Sequence, residues 1–299
     1  MRKPLRFFVM TSESINNQIR NKIKINGGAV HYHGYSLSFP HGVGMGTLSK
    51  LYWKGEKGFE ESTSRVLIEL FKLNSVFFDI GSNFGFYSVL SKKVNPDLQV
   101  IAFEPFQIMA RQNDLFRIHN DVKYTLIPKG VSDANRLEEF FVPEMLDQEK
   151  EVSTASFQKE FFFNTKFKSK SLKVECITLD TFVKDFFKSN MPEKGFCLKI
   201  DVEGHEMAVL RGSEQVLKSL RPMFVCEIDF KNAIEALEYF QRLNFEIFHI
   251  QPLGVVKFNA EDFLLKIKKN RDFLICPVER IKGSPHNFIA YHNFASAFQ

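Results

Sequence analysis

Cysteine is scarce in this sequence, and its spacing excludes more than its count does. Cys176, Cys197, Cys226 and Cys276 lie 21, 29 and 50 residues apart. There is no Cys-x-x-Cys pair, which argues against a zinc site. Cys197 and Cys226 sit inside the apolar runs FCLKI and MFVCEI and read as small buried hydrophobes. That usage suits a reducing compartment. Long apolar runs are missing too: no stretch approaches the ~20 residues that span a bilayer. The N-terminal MRKPLRFFVM is basic, but its apolar run is too short for a signal-peptide core, and polar TSESINNQ follows. A cytoplasmic location is expected.

A strong excess of one charge is also lacking, since 40 Lys and Arg stand against 35 Asp and Glu. The small surplus is unevenly placed. Through Lys57 there are nine basic residues and two Glu, while the remainder is slightly acidic. The basic piece reads as a solvated face, with attraction to an acidic substrate or anionic surface as the alternative. Apolar residues make up 44% of the chain and charged residues 25%, ample for a sizeable core and ordinary for a globular protein. The 34 Phe read as the preferred core filler rather than as a stacking surface.

Residues 1–60 hold eight of the 16 glycines between short alternating runs such as HYHGYSLSF. They read as a small β-rich extension, and residues 61–299 as the main domain. From Ser62 the rhythm changes. SRVLIELFKL has helical spacing, NSVFFDI is a buried strand and GFYSVLSKKV a helix. QVIAFEP, PFQIMARQNDLFRIHN and VKYTLIPKGVS continue as strand, helix, strand. LEEFFVP suggests a strand or hairpin arm, and a partly polar insertion follows to about residue 172. KVECITLD reads as a strand with Thr178 capping the helix TFVKDFFKS. FCLKI, MAVLRGSEQVLKSL, RPMFVCEI and NAIEALEYFQRLN resume the alternation, and FEIFHIQ and DFLICPV end the chain on strands. The expected fold is α/β: a mostly parallel, Rossmann-like sheet of about seven strands with helices on both faces.

The segment Asp79-Ile80-Gly81-Ser82-Asn83-Phe84-Gly85 joins a buried strand to a helix, the edge at which open α/β sheets bind ligands. Gly81 permits a tight turn and close approach to a ligand, and Gly85 opens the helix where a side chain would hit the sheet. Asp79 is placed to hold an ammonium group. Glu104 ends the next strand, 25 residues on, where an acid accepts from ribose hydroxyls. A dinucleotide loop would read GxGxxG. Here it reads GxNxG, crowded by Phe84, Phe86 and Tyr87, and Asn83 offers a side-chain donor. S-adenosylmethionine, which has a ribose but no phosphate, fits better than NAD. The site is expected to run through Tyr87 and Ser88. At the third strand's end, Ser132 and Asp133 offer an acceptor for the adenine amino group, though Ser-Asp is also common turn chemistry.

Five ionisable groups then crowd one strand end in Lys199-Ile200-Asp201-Val202-Glu203-Gly204-His205-Glu206. Burying so many charges is costly unless they pair or work. The helix dipole accounts for an acid or two, not for the Lys, Asp and His as well.

With DIGSNFGFYS, AFEP and LKIDVEGHEMAVLRGSEQVL read together, flanked by VECITLDTF and RPMFVCEI, the chain resembles the FkbM family of methyltransferases over about Gly58 to Pro277. Ser82 stands where the family usually has Ala. The resemblance implies a class I methyltransferase fold. It places the cofactor on Asp79, Gly81, Asn83, Gly85 and Glu104, with Asp201 to Glu206 edging the active site. It implies O-methylation of a sugar, glycan or secondary-metabolite hydroxyl. That chemistry needs a base: His205 by its ordinary pKa, with Glu203 or Asp201 orienting it or serving instead, and Lys199 pairing with the acids. The carboxylates of Asp201, Glu203, Glu227 and Asp229 raise the question of Mg²⁺, but no metal signature fixes one, and none is expected. The alternatives are a non-catalytic methyltransferase-like binding module and a nucleic-acid methyltransferase. The latter lacks its Asn/Asp-Pro-Pro-aromatic and Pro-Cys motifs here, so no nucleic-acid partner is expected. Residues 1–57 and 140–172 have no family counterpart and are expected to select the acceptor, a small molecule or glycan.

Overall fold

The structure, a computed structural model, describes residues 23–144, 155–157, 168–188, 190–192, 195–228, 232–258, 271–281 and 288–298. The N-terminal MRKPLRFFVM, most of the insertion after Glu144 and Asp229 lie outside them. None of the described helices is long and apolar enough to cross a membrane.

The first elements are a hairpin of β1 (Gly28–Tyr32) and β2 (Tyr35–Phe39) and a helix α1 (Met45–Lys54). His33 and Gly34 both take positive φ, 48° and 84°, as a tight hairpin turn requires. The extension is therefore part helix: Leu48 and Leu51 of α1 recur at helical spacing and are buried. Helix α2 (Glu61–Leu73) follows, then strand β3 (Val76–Ile80), helix α3 (Phe86–Val94), β4 (Gln99–Phe103), α4 (Gln107–His119) and β5 (Thr125–Ile127).

The expected third strand is broken. Pro128 has no N–H to continue a ladder, so β5 stays in the main sheet and β6 (Gly130–Val131) joins another. That second sheet has three strands, β6, β7 (Arg136–Pro143) and β8 (Ser169–Ile177), in the order β6-β8-β7. KVECITLD thus leaves the main sheet. Thr178 does cap α5 (Leu179–Phe187), its hydroxyl accepting from Thr181 N at 3.1 Å.

Strand β9 (Phe196–Ile200) returns to the main sheet. The following helical stretch is two helices, α6 (Glu206–Arg211) and α7 (Glu214–Leu220), parted at Gly212, whose Cβ would lie 1.9 Å from Ser132 O. Strand β10 (Met223–Glu227), helix α8 (Ala233–Arg242) and strands β11 (Phe245–Gln251), β12 (Gly254–Lys257), β13 (Asp272–Pro277) and β14 (Phe288–Ala290) complete the sheet. The last described element is helix α9 (Phe294–Ala297), not a strand.

The main sheet runs β5-β4-β3-β9-β10-β13-β11-β12-β14. Among the described residues it has nine strands and is mixed, not a seven-stranded, mostly parallel sheet. Parallel pairing holds from β5 to β10, and every pairing from β13 outward is antiparallel. The short runs GVVK and FIA add two strands beyond β11. The parallel half has the doubly wound order, in which the first strand, β3, has its successor on one side and β9 on the other. A crevice opens at such a reversal.

Successive residues feed opposite faces of the sheet. Val76, Phe78 and Ile80 join one buried cluster with α5 to α8, while Phe77 joins the other with the hairpin, α1, α2, α3 and α9. Covering both faces explains the unbroken apolar strands. Eleven of the twelve largest fully buried side chains among the described residues are Phe, each worth about 1.5–3 kcal/mol of burial. Phe is the core filler.

Candidate active site

Gly81 leaves β3 with φ 81°. Its N–H and that of Ser82 both donate to Phe103 O, at 3.1 and 2.9 Å, which staples the loop to the end of β4. A Cβ at Gly81 would lie 1.9 Å from Asp201 O, so its close approach is to the end of β9. Gly85 takes φ 88° and caps α3. A Cβ there would meet Asn113 Cγ at 2.7 Å and Tyr124 Oη at 2.8 Å, so α4 rather than the sheet demands the glycine.

Between them Asn83 adopts a left-handed φ of 50°. Its N–H donates to Glu104 Oε2 at 2.8 Å, and its Oδ1 accepts from Phe84 N at 2.8 Å. Asn113 Nδ2 ties the loop down, donating to Ser82 Oγ at 3.0 Å and to Asn83 O at 3.1 Å. Glu104 also accepts from Phe106 N at 2.8 Å. Burial nevertheless pushes its carboxyl up to about 7, against those two backbone donors.

Gly81, Asn83 and Glu104 line one cleft with about 640 Å³ of empty space, solvent at its mouth included. Gly81 and Asn83 follow the end of β3, and Glu104 follows the end of its neighbour β4. Lys129, Gly130 and Val131 line it just past β5, with the Phe157 ring against Gly130 and Phe140 beside Phe157. Asp201, Val202 and Glu203 contribute from the neighbouring strand end.

Asp79, Gly85, Tyr87, Ser88 and Ser132 are not among the lining residues. Asp79 is buried behind the loop, accepts from Ser88 Oγ at 2.6 Å, and has its pKa raised by burial. It pairs in register with Lys199 on β9. The hydroxyl of Tyr87 donates to Glu60 Oε2 at 2.8 Å and lies 3.1 Å from Ser64 Oγ.

The Lys199–Glu206 segment divides. Lys199 is buried, with Nζ 2.6 Å from Asp201 Oδ2 and 5.0 Å from the Tyr87 ring centroid. Burial opposes its charge, but Asp201, Glu60 and Asp79 outweigh that and raise its pKa. Burial likewise raises Asp201, but Lys199 and a hydrogen bond with Glu227 outweigh it, so Asp201 is lowered and ionised. Glu203 takes φ 51° at the cleft. Burial, then the charge of Asp201, pushes it up to about 8. Glu206 opens α6 and accepts from Gly204 N at 2.8 Å.

His205 turns elsewhere. Its Nε2 is 3.0 Å from Ser132 Oγ, its ring stacks on Phe157 at 4.3 Å, and burial lowers its pKa. Ser132 donates to Glu138 Oε1 at 2.6 Å. Asp133 is engaged by Arg136 at 2.8 Å and does not line the cleft.

Residues 79–247, more than half of the chain, match the methyltransferase FkbM domain. The chain belongs to the FkbM methyltransferase family. A crystal structure of an FkbM methyltransferase from Methylobacillus flagellatus KT is similar, at 12% identity and a TM-score of 0.42, covering 68% of this chain and 43% of that one. This FkbM chain thus spans less than half the length of that relative. An rRNA methylase from Streptococcus thermophilus (14% identity, TM-score 0.37, 71% and 91% covered) and M. jannaschii TYW2 in complex with AdoMet (10%, 0.36, 85% and 84%) are also similar. No curated protein matches in sequence.

Four further residues gather in this FkbM protein around Asp201. Glu227, at the end of β10, hydrogen-bonds to Asp201 and pairs with Arg271 at 2.7 Å. Burial, then the Asp201 charge, pushes Glu227 up to about 10. Asp272 starts β13 and accepts from Thr63 Oγ1. Glu60 is exposed as a whole, yet its carboxylate end is enclosed against Tyr87, and burial pushes it up to about 7. Glu227 was legible as a strand-end acid. Glu60, Arg271 and Asp272 carry no local signal, being distant in sequence. No group of three or more His, Cys, Asp or Glu among the described residues is arranged to hold a metal ion.

Proposed function

We propose that this FkbM methyltransferase transfers a methyl group from S-adenosylmethionine to a hydroxyl of a sugar, glycan or secondary metabolite. The observation that carries this reading is one cleft that joins the Gly81–Asn83 turn and Glu104 to the acids Asp201 and Glu203. S-adenosylmethionine is the cofactor expected of the family, and the residues suit it. The turn's backbone and Asn83 face the amino-acid end, and the enclosed Glu104 carboxyl faces the ribose. Bound there, the cofactor supplies a methyl on a sulfonium sulfur.

The chain's own contribution is to align the acceptor and take its proton. Alignment of two bound reactants supplies several kcal/mol, about 7–11 in favourable cases. Glu203 lines the cleft, and burial pushes its carboxyl up to about 8, near the working range of a general base. It therefore replaces His205, which lies behind Phe157. As the acceptor oxygen takes the methyl, its proton passes to Glu203. Lys199 keeps Asp201 ionised beside it.

Calorimetric titration with S-adenosylmethionine and with NAD tests the cofactor half. Binding of NAD alone would sink the reading. A screen of sugar and glycolipid acceptors with a labelled methyl donor tests the transfer, and label appearing only in RNA would redirect the proposal to nucleic acid.

A further inference from the structure

Phe157 lies in the partly polar segment after Glu144, and it lines the cleft. Its short stretch is fixed at three points. Ser156 pairs with Phe141 of β7 through both backbone hydrogen bonds, at 2.7 and 3.0 Å. The Ser156 hydroxyl donates to Glu203 O at 2.8 Å. The Phe157 ring stacks on His205 at 4.3 Å and 25°, and meets Phe140 edge-on at 4.8 Å.

The ring also explains Gly130. A Cβ there would lie 2.7 Å from Phe157 Cζ, so a bare backbone is needed for the ring to seat. Phe157 therefore seats against Gly130, just past β5, the strand that follows β4 in the sheet order.

This inference rests on the S-adenosylmethionine reading above. If the amino-acid end meets the turn on β3 and the ribose meets Glu104 on β4, the base extends toward the next strand in order, β5, and toward Lys129, Gly130 and Val131, which follow it at the cleft. The adenine base is the flat apolar part of the ligand, and an aromatic ring is the matching surface for it. We propose that Phe157 packs against the adenine base, and that His205 is a positioning residue that backs the Phe157 ring rather than a catalytic base. The Ser132 hydroxyl, held by Glu138, fixes the His205 ring in turn.

The test uses the full chain and measures binding, not turnover. The probes are S-adenosylmethionine and 5′-methylthioadenosine, which keeps base and ribose but lacks the amino-acid end. Phe157→Ala is expected to raise the Kd of both by about tenfold or more, as expected for a lost base–aromatic contact. Phe157→Tyr is expected to restore binding. His205→Ala is expected to weaken both ligands with no added loss in the double variant with Phe157→Ala, and His205→Phe to bind like wild type. If Phe157→Ala does not fold, Phe157→Leu asks the same question. Wild-type chain that binds neither probe overturns the cofactor reading. Wild type that binds both, with Phe157→Ala (or Phe157→Leu in its place) within twofold, overturns this inference alone. So does a variant that loses S-adenosylmethionine but keeps 5′-methylthioadenosine, or a His205→Phe chain as weak as His205→Ala.

Discussion

The ammonium of Lys199 stands 2.6 Å from the carboxylate of Asp201 at the carboxyl edge of the sheet, with Lys199 buried and Asp201 half-buried at the cleft. Asp79 flanks Lys199 in register on β3, and Glu60 reaches toward it from the start of α2. One cation thus serves three acids drawn from three elements.

Removing that cation leaves buried carboxylates uncompensated. Lys199→Met is expected to lower unfolding stability by about 3–5 kcal/mol, the usual cost of breaking a buried pair from one side. Urea denaturation measures it. The double change Lys199→Met with Asp201→Asn should recover part of the loss, and a single variant as stable as wild type would dismiss the pairing.

Glu203 as base predicts a pH profile. Its carboxyl must be ionised to accept a proton, and its pKa is raised to about 8. Turnover should therefore rise as pH rises through about 8. Glu203→Gln should lower kcat by about a hundredfold or more while leaving the Kd of S-adenosylmethionine within a few-fold. A His205→Phe enzyme should keep that profile. A rise centred near the ordinary pKa of His, lost in His205→Phe, would return the base to His205.

Cofactor binding should itself depend on pH. Ribose hydroxyls donate to the ionised form of Glu104, whose carboxyl lies at about 7 before binding. Affinity should strengthen as pH rises through about 7, and binding below that point should release a proton. Calorimetry in two buffers of different ionisation enthalpy reads the release directly. Glu104→Gln should bind more weakly, with no such dependence. For the free protein the sign is opposite. Burial favours the neutral carboxyls of Glu60, Glu104 and Glu203, so their contribution to stability is full below the ordinary 4.5 and is lost as pH rises through about 7 to 8.

Gly81→Ala tests the turn. The new methyl would sit 1.9 Å from Asp201 O, on a residue at φ 81°. The strand ends must part to admit it, so both thermal stability and S-adenosylmethionine affinity should fall. Gly42→Ala, at φ 82° with open space around it, isolates the backbone strain alone and should cost about 1 kcal/mol. Equal losses at the two positions would show that the approach to Asp201 is immaterial.

The sequence by itself determined the alternation of strands and helices, because apolar runs and periodicity report which faces are buried. It determined the turn at Gly81 to Gly85 and the acid at Glu104, because both are set within one strand-to-helix unit or at a fixed strand end. It also marked Lys199 to Glu206 as crowded with charge. Only the tertiary structure decided how that charge is divided. At a strand end the direction of each side chain depends on local backbone angles, here the positive φ of Glu203 and Gly204, and on what the neighbouring elements supply. Glu203 faces the cleft, and His205 turns to Ser132 and Phe157. Likewise the nine strands depended on pairings of short runs at the sheet's edge, and the carboxylate cluster on residues from position 60 to position 272. Neither leaves a periodic trace along the chain, because the contacts that create them are far apart in sequence.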